Sequence, residues 1–297
     1  MEIRVLRYFL TVVREESITR AADVLHITQP TLSRQLAKME EDIGVKLFDR
    51  GTRKIVLTNE GMLLRRRAEE ILELVDKTEQ ELIEQEEAVE GTVSIGCGDL
   101  GAVQMLPDLL RAFHKKYPAV RFDIHTATAD HVRARMERGL ADIGLLLEPV
   151  NMEKYDFIRL NQKEQWGVVM TPDSPLSEKP YVTAEDLLSV PLILPQRLNI
   201  QSELANWFGD VFEHLNVLFT SNLPANSSIM VYHKLAYAII IRGSTSLWDQ
   251  EKIIYRPLYP ELSASSVLAW RRQQPFGLAA SKFIEHIKSF DFSKSGK

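Results

Sequence analysis

Polar and cationic side chains recur along residues 29–38, and their spacing would let them reach the edges of nucleic-acid bases. The set comprises Gln29, Thr31, Ser33, Arg34 and Lys38. Arginine can donate two hydrogen bonds to guanine, and glutamine can pair with adenine. We therefore predict that Arg34 contacts guanine and that Gln29 contacts adenine or the backbone. Thr31 and Ser33 would hold the register.

Two short helices separated by a turn at residues 26–28 must position these side chains. Ser17 and Thr28 each precede a helical pattern, so each is predicted to cap a helix through its hydroxyl. Pro30 falls in the first turn of the second helix, where a missing amide costs little. Apolar residues at spacings of four and three give that helix a buried face: Leu32, Leu36 and Met39. The pattern is typical of a helix-turn-helix that enters a DNA major groove, and also of an exposed amphipathic helix pair.

A short basic hairpin is predicted after the helix pair. Its arms are residues 47–48 and 55–57, and its tip carries three cations: Arg50, Arg53 and Lys54. Beside a helix-turn-helix such a hairpin is typical of a wing that contacts phosphate, whereas alone it would be a solvated turn. Residues 1–60 hold ten basic and nine acidic side chains, so this segment can present a basic face although the whole chain carries a net charge of −5.

Residues 58–90 are predicted to form one long dimerisation helix. Apolar and small residues recur there in the heptad rhythm of a coiled coil: Leu64, Ala68, Ile71, Val75, Thr78, Leu82, Gln85 and Val89. Residues 61–90 hold ten acidic and four basic side chains, which keep the rest of the helix surface in water. Because an isolated charged helix of this length is poorly stable, a second copy of the chain is the expected partner.

Predicted strands and helices alternate from residue 91 onward. The order strand, helix, strand, helix, strand over residues 92–147 implies parallel strands joined by right-handed crossovers. A second such set begins near residue 166, and the last strands and helix return to the first. The sequence thus predicts an α/β region over residues 91–297 with a crevice between two subdomains. The first predicted subdomain comprises residues 91–162 together with residues 266–297. The second comprises residues 163–265.

The crevice is the expected site for a small molecule. Helix amino ends offer unpaired amides and positive potential, and three are predicted near residues 98–101, 201–202 and 226–227. Threonine hydroxyls after the second strand could add to the site. The candidate effector-binding residues are Gly98, Asp99, Leu100, Thr126, Thr128, Gln201, Ser202 and Asn226. Asp99 would repel an anion there; alternatively, it caps the helix that follows.

The residues do not favour catalysis, a cofactor or a metal site. No nucleophile elbow, phosphate loop or paired acid and base emerges, and the seven histidines have no thiol or carboxylate cluster beside them. Cys97 is the only cysteine, so no disulfide can form within one chain, and we expect a buried structural thiol. We expect a cytoplasmic protein without membrane contact, because the sequence shows neither a signal-peptide pattern nor the roughly 20 apolar residues of a membrane span.

With these features the chain resembles LysR-type transcriptional regulators over essentially its whole length. The most specific similarities are the runs Thr28-Gln29-Pro30-Thr31-Leu32-Ser33-Arg34-Gln35-Leu36 and Gly44-Val45-Lys46-Leu47-Phe48-Asp49-Arg50. Looser similarities follow in the same order as in that family: Leu106-Pro107, Tyr117-Pro118, Gly139-Leu140-Ala141-Asp142-Ile143 and Pro172-Asp173-Ser174-Pro175-Leu176.

The resemblance implies a winged helix-turn-helix over residues 1–60, a dimerising linker helix, and an effector domain of the type II periplasmic-binding-protein fold. It implies a homodimer, or more often a homotetramer, on an inverted-repeat site in double-stranded DNA, with a small-molecule effector and RNA polymerase as further partners. Many family members have a small hydroxyl residue where this chain has Asp99 and Leu100. Two alternatives stay open: a DNA-binding regulator without an effector, and a solute-binding protein that uses the two-lobed fold.

Overall fold

The chain consists of two compact units, Met1–Ile83 and Glu84–Lys297. The structure is a computed structural model that describes residues 2–50, 55–83, 89–245 and 247–292, without the side chains of residues 50 and 80–83. Among the helices of these residues, none is both long enough and apolar enough to cross a membrane.

The first unit is a winged helix-turn-helix, as predicted. Its elements are α1 (Ile3–Glu15), α2 (Ile18–Val24), α3 (Gln29–Ile43), β1 (Phe48–Arg50), β2 (Ile55–Leu57) and α4 (Asn59–Ile83). Strands β1 and β2 pair antiparallel, with Phe48 opposite Leu57. The predicted tip residues Arg53 and Lys54, and the side chain of Arg50, lie outside the described part of the chain.

One apolar core holds the helices of this unit to the hairpin. The predicted inner face of α3 is buried, with Leu32, Leu36 and Met39 at most 3% exposed. Phe9 of α1 joins the same core and packs against Phe48, with the ring centroids 5.3 Å apart. The spacing of apolar residues in the sequence therefore correctly predicted which face of α3 is buried.

The two predicted helix caps have different outcomes. Ser17 caps α2, since its hydroxyl accepts a hydrogen bond from the amide of Arg20 at 3.4 Å. Thr28 precedes α3 as predicted, but its side chain makes no cap hydrogen bond. Its hydroxyl oxygen instead lies 2.8 Å from that of Thr31, one turn along the helix.

The long helix α4 is shorter than predicted. Val89, the last expected seam residue, is not helical and packs against the core of the second unit. Leu64 and Ala68, which were also expected in a dimer seam, pack in the core of the first unit, where Ala68 is fully buried. These two residues pack within one chain because the amino-terminal half of α4 packs on the helix-turn-helix of the same chain. The seam positions 82 and 85 lie outside the described side chains.

A buried carboxylate connects α3 to the hairpin. Glu40 is 4% exposed, and its Oε1 accepts hydrogen bonds from the amides of Leu47 at 2.7 Å and Phe48 at 3.3 Å. Lys46 Nζ lies 3.4 Å from Oε2. A buried amide without a partner costs about 1–3 kcal/mol, so this carboxylate fixes the path of the chain between α3 and β1.

The second unit is mixed α/β, as predicted. Its helices are α5 (Leu106–Lys116), α6 (Ala129–Glu137), α7 (Leu198–Phe208), α8 (Pro224–Tyr232) and α9 (Leu278–Ser289). Its strands are β3 (Gly91–Cys97), β4 (Val120–Thr126), β5 (Ile143–Leu147), β6 (Tyr155–Met170), β7 (Leu192–Pro195), β8 (Val217–Ser221), β9 (Tyr237–Ile241), β10 (Ile254–Pro257) and β11 (Ser263–Arg271).

The strands form one mixed sheet with two halves. The order is β4-β3-β5-β11-β6-β9-β7-β8, with β10 paired to β6. Parallel pairing of β3 with β4 and β5, and of β7 with β8 and β9, confirms the predicted parallel strands. We call the half with β3, β4 and β5 lobe I, and the half with β7, β8 and β9 lobe II. Strand β6 belongs to both, because its residues 155–165 pair with β11 and its residues 166–169 with β9.

Helices cover both faces of each half of the sheet. In lobe I, Phe113 of α5 and Phe283 of α9 are fully buried in one cluster and pack edge to face, with ring centroids 5.0 Å apart, while buried residues of α6 belong to a different cluster. In lobe II, alternate residues of β9 enter different clusters: Ile239 packs with the cluster that contains α7 residues, and Ile240 with the cluster that contains Val231 of α8. This alternation is expected for side chains on opposite faces of a strand.

Replacing Glu40 with alanine should destabilise the first unit by about 1.5–3 kcal/mol, because the amides of Leu47 and Phe48 lose a charged acceptor. Urea unfolding of the full chain should be followed by far-ultraviolet circular dichroism and by tryptophan fluorescence. All four tryptophans lie in the second unit, so only the circular dichroism curve should shift. The exposed neighbour Glu41, replaced by alanine, is the control and should change stability by less than about 0.5 kcal/mol. Equal effects of both substitutions would contradict this role of Glu40.

Candidate functional site

The residues predicted to read bases lie on or beside the outer face of α3. Thr31, Arg34 and Lys38 are separated by three and four residues, so they share one face of the helix. Arg34 and Lys38 are exposed, and Arg34 Nε donates a hydrogen bond to the carbonyl of Pro30 at 3.3 Å. Gln29, the first residue of the helix, is also exposed. The helix therefore presents donors and acceptors to solvent opposite its buried leucines.

The cations on this face have no acidic partner among the described residues, unlike most cations of the first unit. No carboxylate there lies within salt-bridge distance of Arg34 or Lys38. The described cations of the first unit that form ion pairs include Arg4, Arg7, Arg14, Lys46, Arg65 and Arg67. The outer face of α3 therefore carries positive charge that is free to attract an anionic partner.

A cavity of about 700 Å³, open solvent at its mouth included, lies between the two lobes of the second unit. Residues at or just after the carboxyl ends of β3, β4 and β5 in lobe I, and of β7, β8 and β9 in lobe II, contribute to its lining. Ligands of open α/β sheets bind at such strand ends. The wall is mainly aliphatic, including Leu100, Leu145, Leu147, Ile193, Ile200, Ile239 and Ile241.

The structure brings four of the eight predicted effector-binding residues together in this cavity. They are Gly98, Asp99, Leu100 and Thr128, all from lobe I. Thr128 is the N-cap of α6, and its hydroxyl accepts a hydrogen bond from the amide of His131 at 3.5 Å. The amino end of α6 therefore borders the cavity, although the sequence predicted only the Thr128 hydroxyl there and not this helix end.

Three predicted residues of lobe II do not line the cavity, because their helices begin earlier than predicted. Helix α7 begins at Leu198, so Gln201 and Ser202 lie about one turn beyond its amino end. Gln201 Nε2 donates to the carbonyl of Pro195 at 2.9 Å. Helix α8 begins at Pro224, which leaves Asn226 exposed, and its neighbour Ser227 lines the cavity instead.

Thr126 does not line the cavity either: it is exposed at the end of β4 and lies beside Cys97. The two residues lie opposite each other at the ends of β4 and β3, and the Thr126 hydroxyl forms a hydrogen bond with the Cys97 thiol. Cys97 is 3% exposed, and burial raises the pKa of its thiol. A raised pKa disfavours the reactive thiolate, which agrees with a structural role for Cys97.

Arg197 spans the cavity from lobe II to lobe I and was missed by the sequence analysis. Its guanidinium donates to the carbonyls of Leu147 at 3.3 Å and Pro149 at 3.0 Å, and its Nε lies 3.1 Å from Asp130 Oδ2. The side chain is only 10% exposed. These partners all belong to lobe I and are distant in sequence, so no local signal could have identified the arginine.

Glu164 of β6 binds the backbone amides at the start of a 3-10 helix, Gly101–Met105. The carboxylate is 1% exposed and accepts hydrogen bonds from the amides of Gly101 at 3.1 Å and Ala102 at 2.8 Å, while Ser266 Oγ lies 3.4 Å away. Burial raises the pKa of Glu164, although the two amide hydrogen bonds oppose this shift. These amides are therefore closed to an anionic ligand. Asp99 makes no cap hydrogen bond to this helix.

Several polar side chains of the cavity lining have no hydrogen-bond partner among the described residues, Gln196, Asn222 and Ser227 included, and two groups stand out. They are the carboxylate of Asp99, which is half-buried, and the indole Nε1 of Trp166, which is buried. The described side chains include no group of three or more His, Cys, Asp or Glu residues that could hold a metal ion. A mainly apolar cavity with few unpaired polar groups is suited to binding a small molecule.

The Cys97 thiol should resist alkylation in the native protein, because burial raises its pKa and limits access. With iodoacetamide at neutral pH, we expect little modification by mass spectrometry in the folded chain and complete modification after guanidinium denaturation. Rapid alkylation of the folded chain would contradict a structural role.

Replacing Arg197 with methionine should destabilise the second unit by about 1.5–3 kcal/mol, since hydrogen bonds from a charged and largely buried group are lost between the lobes. Urea unfolding monitored by tryptophan fluorescence measures this change. Arg111 is the matched control, because it forms an exposed ion pair within α5. Its replacement by methionine should change stability by less than about 0.5 kcal/mol. A comparable loss in the control would refute the contribution of Arg197.

Comparison with known proteins identifies the two parts of the chain. A model described as "Bacterial regulatory helix-turn-helix protein, lysR family" matches residues 3–62, and one described as "LysR substrate binding domain" matches residues 86–291. The uncharacterized HTH-type transcriptional regulator YvbU of Bacillus subtilis (strain 168) is 29% identical, over 97% of this chain and 98% of YvbU. The Hca operon transcriptional activator HcaR of Escherichia coli (strain K12) is 27% identical, over 92% of each chain.

A solved structure shares the fold over nearly the whole length. Full-length CbnR complexed with its target DNA has a TM-score of 0.72 and 21% sequence identity to this chain, and the match covers 97% of this chain and 99% of CbnR. Together with the two family models, these findings assign the fold and the family. The chain belongs to the LysR family and is a DNA-binding transcriptional regulator with an effector-binding domain.

Proposed function

We propose that the protein binds an inverted-repeat site near a promoter as a homodimer or a dimer of dimers, and that a small molecule between the lobes changes this binding. The observation that best supports DNA binding is the outer face of α3. There Arg34 and Lys38 present positive charge without an acidic partner among the described residues. In a helix-turn-helix, the second helix lies in the major groove and contacts base edges. Because the target is genomic DNA, we expect the protein to act in the cytoplasm.

The side chains of α3 divide into base contacts and contacts that hold the register. Arg34 would donate two hydrogen bonds to guanine, and Gln29 would contact adenine or the backbone. Thr31 and Ser33 would hold the register, and Lys38 extends this surface by one turn. The wing is proposed to contact phosphates through Arg50, Arg53 and Lys54.

Self-association is supported by apolar side chains that the described chain leaves exposed. On α4, Met62 and Leu63 are each 54% exposed and Leu74 is 42% exposed. In the second unit, β8 and α8 expose further large apolar residues: Val217, Leu218, Ile229, Met230 and Tyr232. Larger exposed apolar patches commonly mark protein interfaces. Two copies would also supply the two recognition helices that half-sites about one helical turn apart require.

The crevice would couple ligand binding to DNA binding because both lobes contribute to it. A ligand shifts a conformational equilibrium only when it binds one arrangement more tightly than another. Lobe I contributes Asp99 and Thr128, lobe II contributes Ser227, and Arg197 already connects the two. A ligand in contact with both lobes would favour one lobe arrangement. RNA polymerase at the same promoter is a further proposed partner.

Arg34→Ala should lower affinity for the preferred site by about 1–3 kcal/mol and relax its base preference, because a bidentate base contact is lost. Lys54→Ala should weaken binding to all sequences about equally and reduce the salt slope by about 1, because a phosphate contact is lost. A site is first selected from random DNA, and gel-shift titrations are then run at several salt concentrations.

The exposed Arg111 of α5 offers a control cation outside the first unit, and its replacement by alanine should leave DNA affinity unchanged. If Arg34→Ala and Lys54→Ala gave the same loss on preferred and random DNA, the proposed division between base and phosphate contacts would fail. If neither reduced binding, α3 and the wing would not be the DNA surface.

A further inference from the structure

We infer that the crevice selects an amino-acid-like effector, that is, a small molecule with an apolar body, a protonated amine and an acceptor oxygen such as that of a carboxylate. The inference rests on the proposed function, because it assigns a ligand class to the crevice between the lobes. Three properties of the lining support it: an uncompensated negative charge, unpaired donors, and an aliphatic wall.

The negative charge comes from Asp99. Only Asp99 and Arg197 are charged among the residues that line the cavity. Arg197 is compensated by Asp130 and by two carbonyls of lobe I. Asp99 forms neither an ion pair nor a hydrogen bond within the described chain, and it does not cap the adjacent 3-10 helix. A half-buried carboxylate beside apolar walls favours a cationic donor, and a protonated amine supplies one.

The unpaired donors lie on other parts of the wall. The buried Nε1 of Trp166 has no acceptor among the described residues. Helices α7 and α8 start next to the cavity, and neither has a side-chain cap, so their first amides carry positive partial charge. By contrast, Glu164 accepts hydrogen bonds from the amides of Gly101 and Ala102, and Thr128 caps α6. The lining therefore has hydrogen-bond donors that can bind an acceptor oxygen of the ligand. It also has an acceptor, Asp99, that can bind an amine of the ligand.

The aliphatic part of the wall, which is larger than its polar part, selects an apolar body. Leu100, Leu145 and Ile239 are each at most 8% exposed and line the cavity with further aliphatic residues. Burial of apolar surface favours binding, whereas a second charged group on the ligand body would lose its hydration without a partner. A molecule with only a carboxylate would leave Asp99 unpaired beside a second negative charge. A molecule that carries both an amine and a carboxylate satisfies both kinds of group.

Three probes that share one apolar body test this inference: L-phenylalanine, phenethylamine, which lacks the carboxylate, and 3-phenylpropionate, which lacks the amine. Calorimetric titration of the full chain without DNA should rank L-phenylalanine first and 3-phenylpropionate last. We expect a difference between them of at least about tenfold, as for loss of one charge-assisted hydrogen bond.

The variant Asp99→Asn removes the charge and keeps the size of the side chain. Because Asp99 has no hydrogen bond or ion pair in the described chain, the substitution breaks no contact that the fold needs. Affinity for the two amines should fall about tenfold, while affinity for 3-phenylpropionate should stay the same or rise. The exposed Asp210, replaced by asparagine, is the matched control and should leave all three affinities unchanged.

The inference is overturned if 3-phenylpropionate binds as tightly as L-phenylalanine, if Asp99→Asn weakens all three probes alike, or if none of the probes binds. Its failure differs from failure of the proposed function. Selective amine binding that left DNA affinity unchanged would retain the ligand class and contradict the switch. DNA binding by a chain that showed no amine preference would contradict only the ligand class.

Discussion

The buried carboxylate of Glu164 lies where strand β6 runs from one lobe to the other, beside its partner β11, and the geometry of the crevice depends on it. It accepts hydrogen bonds from Gly101 and Ala102, and the hydroxyl of Ser266 lies 3.4 Å away. At Gly243 a Cβ would lie 2.1 Å from the amide nitrogen of Gly101 and 2.6 Å from Glu164 Oε2, so the close approach of these segments requires glycine. A carboxylate is tolerated at this depth because donors replace its lost hydration.

The lobes are thus joined in two different ways. At their junction, strand β6 and a core that continues through both lobes form a densely packed connection, which resists deformation. Across the crevice, Arg197 joins the lobes only through hydrogen bonds to Leu147 and Pro149 and an ion pair with Asp130. A ligand can exchange such polar contacts more readily than it can rearrange a packed core. The arrangement of the lobes around the crevice is therefore the property that a ligand can most readily change.

A buried glutamate has a similar role in the first unit. Glu40 accepts hydrogen bonds from the amides of Leu47 and Phe48 and so connects the end of α3 to the hairpin. Its counterpart Glu164 binds two amides at the start of a 3-10 helix. In both places a strand or a 3-10 helix begins in the interior, and the amides at its start need an acceptor that the local backbone does not provide. The orientation of α3, and with it the face that carries Arg34, depends on such an anchor.

The sequence by itself determined the properties that depend on local spacing: the buried face of α3, its polar outer face, and the parallel order of the strands in each lobe. It misplaced the starts of α7 and α8, because the residues before them, Arg197 and Leu223, do not cap these helices through their side chains. Only the tertiary structure decided that Ala68 packs in the first unit and that Glu164, rather than Asp99, binds the amides at Gly101. Those outcomes depend on contacts between residues far apart in the chain, and periodicity carries no information about them.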